Sequence, residues 1–71
     1  MHSEMTTGPD LRLRRTAMHI TASALAERLN VSLSWVSRRE SLAVVKEADA
    51  KRYLSGLATF GTVPTVEVRV A

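Results

Sequence analysis

Only Asn30-Val31-Ser32 separates two short helical patterns, and that narrow gap limits the fold more than any other feature of the chain. Before it, "ASALAERLN" carries Leu25, Ala26 and Leu29 at helical spacing behind Thr21, a good N-cap. Asn30 tolerates the left-handed conformation that ends a helix. Beyond it, Ser32 suits the cap of a third helix, and Val31 with Val36 has the spacing of a hydrophobic staple, which fixes the angle of the incoming chain. Helices this short and this close must cross at an angle. That is a helix-turn-helix.

The whole chain of 71 residues reads as one small, mostly α domain, able to bury only a modest core. Residues 1–8 are polar and are expected to be a frayed tail. "GPD" opens the first helix, with Pro9 in its first position and Asp10 at the positive helix end. This helix is expected to run through Met18, with Leu11 and Met18 on one side. After Glu40, "SLAVVK" is a connection whose Leu42, Val44 and Val45 are expected to tuck under the helices. "EADAKRYLSGL" is the fourth helix, with Ala50, Tyr53, Leu54 and Leu57 on one face. Gly56 is expected to weaken its end, and Gly61 and Pro64 to close it, so the helical domain covers residues 9–61. The last ten residues, 62–71, change period. Val66, Val68 and Val70 alternate with Thr65, Glu67 and Arg69, the pattern of a β-strand with one apolar face.

Composition narrows the function classes. The chain has no cysteine, which excludes a disulfide framework and any thiolate metal site. It has no apolar run near the ~18 residues of a membrane span, and its start does not resemble a signal peptide. A cytoplasmic protein is expected. Between residues 10 and 39, Arg12, Arg14, Arg15, Arg28, Arg38 and Arg39 face only Asp10 and Glu27, so the first half favours a polyanionic partner. His2 and His19 are too far apart to suggest a metal site, and no catalytic spacing or glycine-rich phosphate loop stands out. Neither an enzyme activity nor a cofactor nor a small-molecule ligand is expected.

The run "ITASALAERLNVSLSWVSRRE" resembles the Xre/Cro-type helix-turn-helix domains of phage and bacterial repressors. Thr21, Leu25, Ala26, Leu29, Val31, Ser32, Val36 and Glu40 fall in register with that family, over about residues 10 to 58. Asn30 stands where the family usually has glycine, and Ala22 stands in place of a phosphate-holding glutamine. Arg14 and Arg39 replace usual Leu and Ile. The resemblance implies a lambda repressor-like domain of four helices, operator DNA as partner and a bacterial host cell. It also implies that Arg15 of helix 1 pairs with Glu40 at the close of helix 3, an ion pair that is structural.

A helix turns about 100° per residue, so Val36 and Glu40 share one side of helix 3 while Ser34, Ser37, Arg38 and Ser41 share the other. With Val36 in the core, the opposite side is expected to read bases in a major groove. Arg38 is the first candidate, because a guanidinium grips guanine N7 and O6 in a fork. Ser34 and Ser37 permit close approach, and Leu33 suits a thymine methyl. Trp35 and Arg39 lie one turn apart on the flank, spaced for a cation–π contact. Trp35 either packs against the connection to helix 4 or meets a phosphate at the groove edge. Ser23, Ser32, Arg39, Arg12, Arg14 and Lys46 are further candidates for the DNA backbone, as is Arg28.

The strand at 62–71 has no second strand within the chain. A lone strand exposes an unpaired edge, so it is expected to pair with its copy in a homodimer about a two-fold axis. An axis at Val68 sets Glu67 against the partner's Arg69 and Val66 against the partner's Val70. Such a dimer would present two helices about 34 Å apart to a palindromic operator. Two other readings remain open: an antitoxin or antirepressor whose valine strand adds to a protein partner, and an excisionase-like factor that bends DNA.

Overall fold

The computed structural model describes residues 5–61, which form four helices: α1 (Gly8–Ala17), α2 (Ala22–Leu29), α3 (Leu33–Ser41) and α4 (Glu47–Gly61). The expected strand at 62–71 and residues 1–4 of the expected tail lie outside the described residues.

Side-chain caps start the first three helices. Thr21 Oγ1 accepts from Ala24 N at 3.0 Å and Ser32 Oγ from Trp35 N at 3.1 Å, as their sequence positions imply. Each such cap contributes about 1 kcal/mol. Asn30 closes α2 at φ 60°, and Val31 N donates to Ala26 O at 3.0 Å. The α2–α3 turn is therefore held by its own backbone.

The core consists of Leu11, Ile20, Leu25, Ala26, Val36, Val45, Ala50, Tyr53 and Leu57. α3 packs on both α1 and α2, and α4 packs on α2 and α1. Complete burial of Leu11, Leu25 and Val36 stabilises the domain by about 1.5–3 kcal/mol each.

Four expectations need correction. First, residues 5–8 are not a frayed tail. Thr7 Oγ1 caps α1 by accepting from Asp10 N at 3.1 Å, and the helix begins at Gly8 rather than Pro9. Val45 N donates to Thr6 O and Gly8 N donates to Leu42 O, both at 2.8 Å. Gly8 is seated directly on the end of α3: a Cβ there would lie 2.5 Å from the carbonyl oxygens of Arg39 and Glu40. A polar sequence gave no hint of this backbone docking.

Second, Met18 caps α1 instead of continuing it, and its side chain is exposed. The turn is made by His19 at φ 60°, and Ile20 takes the buried place. Third, Leu42 and Val44 do not tuck under the helices. They are 41% and 53% exposed, because the connection is pulled against residues 6–8 and only Val45 points inward. Fourth, α4 does not end near Gly56 but continues to Gly61. Gly56 marks a close approach of α4 to α2, where a Cβ would meet Leu29 Cδ2 at 2.6 Å and Leu25 Cδ1 at 3.0 Å.

Candidate nucleic-acid interface

α3 is fixed from behind by one polar cluster. Arg15 is buried, and its Nε and Nη2 donate to the two Glu40 carboxylate oxygens at 2.7 and 3.0 Å. Its Nη1 donates to Ile20 O at 2.8 Å, so the guanidinium also closes the turn after α1. The Tyr53 hydroxyl of α4 donates to Glu40 Oε2, with Leu11 O 3.2 Å away. A buried tyrosine needs such a partner.

The charge states follow from this arrangement. Burial pushes the Glu40 carboxyl up, but the hydrogen bonds from Arg15 and Tyr53 outweigh it and hold the group below the usual carboxylate range. The Arg15 guanidinium is raised, chiefly by its hydrogen bond to Glu40. Tyr53 is pushed up by burial and then by its hydrogen bond to Glu40, so it stays a neutral donor. The cluster thus combines one fixed cation, one fixed anion and a hydroxyl.

On the opposite side of α3, the residues expected to read bases come together. Leu33, Ser34, Ser37 and Arg38 line one shallow concavity, and all four are exposed. Ser41 Oγ turns back to donate to Ser37 O at 3.0 Å, which occupies its proton. Leu33 is 51% exposed.

The flank is more elaborate than the sequence suggested. Arg39 lies over the Trp35 ring with its guanidinium carbon 4.6 Å from the centroid. Arg39 Nε is 3.1 Å from Asp49 Oδ2 on α4, an ion pair without hydrogen-bond geometry. Trp35 is partly buried against the core. A second guanidinium, that of Arg52 on α4, stands 5.8 Å from the same ring and donates from Nη2 to Leu29 O at 3.3 Å.

The other backbone candidates are scattered. Arg12 is exposed beside Leu13, Thr16 and Glu40 in a groove between α1 and the end of α3. Arg14 pairs with Asp10 at 3.1 Å one turn away. Ser23 and Ser32 are exposed near the starts of α2 and α3, and Lys46 is exposed just before α4. Arg28 is turned away to α4, where it donates to Thr59 Oγ1 at 2.7 Å and stacks on Phe60 at 4.1 Å.

Three participants escaped the sequence reading. Tyr53 was legible as core, and its hydroxyl, which must find a partner when buried, was the missed signal. Asp49 and Arg52 sit three residues apart on α4, and no local pattern ties either to Trp35. Among the described residues no helix is long and apolar enough to cross a membrane. A scan against protein-family models, a search of curated proteins and a search of solved structures each return no match.

Proposed function

We propose that the chain is a sequence-specific DNA-binding regulator of transcription, a Cro-like repressor with a lambda repressor-like helix-turn-helix in which α3 enters the major groove. One observation carries this reading: the exposed Leu33–Ser34–Ser37–Arg38 concavity lies on a helix whose other side is held by the Arg15–Glu40–Tyr53 cluster. A reading head needs both parts. Small side chains let the helix approach base edges, Arg38 supplies a forked donor for guanine, and the rigid back keeps the register. The net charge of +3 and the arginines beside α3 favour the phosphate backbone.

The active species in this proposal is a homodimer joined through Val66, Glu67, Val68, Arg69 and Val70, acting in the cytoplasm of a bacterial host on a palindromic operator. Selection of bound sequences from random duplex DNA tests the reading. Enrichment of an inverted repeat with half-sites about one helical turn apart is expected. Recovery of no sequence preference, with DNA bending, would favour an architectural factor instead. No binding to duplex DNA at all would end the proposal in favour of a protein partner.

A further inference from the structure

The Trp35 flank carries an inference that deepens this reading and rests on it. Two guanidinium groups from different helices converge on one indole: Arg39 of α3 at 4.6 Å and Arg52 of α4 at 5.8 Å. Their charges are not equally committed. Arg39 is 22% exposed in its side chain and ion-paired to Asp49, so its charge is locally neutralised. Arg52 is exposed, forms no ion pair among the described residues, and uses one donor on the Leu29 carbonyl. A guanidinium has five donors in a planar fork, so most of its hydrogen-bonding capacity remains.

Position supplies the ligand. Trp35 lies about 60° around the α3 axis from Arg38, at roughly 100° per residue. A group beside a helix that occupies a groove about 12 Å wide meets the groove wall, and that wall is made of phosphates. We propose that Arg52 is a contact to the phosphodiester backbone of duplex DNA, seated on Trp35 as its floor, with Arg39 held back by Asp49 as the second edge of the seat. The fixed indole restricts where the Arg52 head can go, which lowers the entropy lost when it grips a phosphate. Arg12, in the groove between α1 and the end of α3, is the matching cation on the other flank.

Trp35 is the only tryptophan in the chain, so its emission reports directly on this seat. The experiment titrates the full chain with a duplex bearing the selected site and with a random duplex, over a range of salt concentrations. Each phosphate contact contributes about 0.9 to the slope of log K against log salt. R52A removes one such contact from each subunit of the proposed dimer, so it is expected to lower that slope by about 1.8, to weaken both duplexes by the same factor and to reduce the emission change on binding. R52K keeps the charge and is expected to restore most of the slope. K51A removes the same charge one residue away, from an exposed lysine paired with Glu47, and is expected to leave the slope unchanged.

Circular dichroism melts verify that the variants stay folded. A wild-type slope in folded R52A would overturn the assignment while leaving the DNA reading intact. A slope lowered equally by R52A and K51A would also overturn it, since net charge alone would then explain the loss. Failure of the unaltered chain to bind either duplex would overturn the assignment and the parent reading together.

Discussion

Tyr53 of α4 donates its hydroxyl proton to Glu40 of α3, the carboxylate that also receives two hydrogen bonds from Arg15 of α1. Three helices therefore meet on one anion. The group is internal, 10% exposed on both sides of the Arg15–Glu40 pair, so its partners rather than solvent determine its energy.

Stability is expected to fall at both pH extremes through this cluster. Glu40 is held below its unfolded value of about 4.3, so its contribution is present above that pH and is lost as pH falls through the folded value. Tyr53 is raised above its unfolded value of about 10, so its contribution is full below pH ~10 and is lost as pH rises toward the folded value. Thermal melts across pH follow both limbs, and Y53F is expected to remove the alkaline one. An alkaline limb unchanged in Y53F would refute this account.

Removing one member of the pair should cost more than removing the tyrosine hydroxyl. E40A strands a buried guanidinium, an effect of about 3–5 kcal/mol. Y53F keeps the ring in the core and loses one hydrogen bond to a charged group, about 1.5–3 kcal/mol. Urea unfolding followed by circular dichroism ranks the two.

Arg38 and Arg12 are expected to fail differently in DNA binding. R38A should lose about 1–3 kcal/mol of discrimination at one base pair of each half-site. R12A should weaken selected and random duplexes alike and flatten the salt dependence. Equal losses on both duplexes for R38A would remove it from the reading role.

Gly56→Ala should destabilise the domain even though alanine is the better helix former. The gain in helix propensity is about 0.8–1.0 kcal/mol. Against it stands a methyl group placed 2.9 Å from Leu29 Cγ and 3.0 Å from Leu25 Cδ1, overpacking that costs typically 1–3 kcal/mol. A higher melting temperature for G56A would mean that α4 shifts away from α2 without strain.

Val68→Asp addresses the proposed dimer, because it sets two like charges near the two-fold axis. Sedimentation velocity should report monomer, and affinity for a palindrome should drop far more than affinity for a half-site. A variant that sediments as the unaltered chain does would exclude strand pairing.

What the sequence revealed was local. Thr21, Asn30 and Ser32 act on backbone within a few residues, and the Leu25–Ala26 and Val36 faces follow from helical period. The Arg15–Glu40 pair came from resemblance, and the Arg39–Trp35 stack from spacing on one helix. Hidden were contacts between segments distant in the chain: Gly8 on the end of α3, Gly56 against α2, and Arg52 beside Trp35. Gly8 read as the end of a polar tail and Gly56 as a weak point in the fourth helix, and both mark close approach instead. A missing side chain has no pattern of its own.

The seating of Gly8 also bears on the order of assembly. α1 leaves the ribosome before the other three helices, yet it and the residues just before it are fastened by Leu42 for Gly8, Val45 for Thr6 and Glu40 for Arg15, all more than twenty positions downstream. Contacts of such separation form late, because the intervening loop must be closed before they return any free energy. The α2–α3 turn needs only its neighbours. α1 thus docks only on elements made after itself, and in a nascent chain α3 lacks its full lock until α4, which carries Tyr53, has emerged.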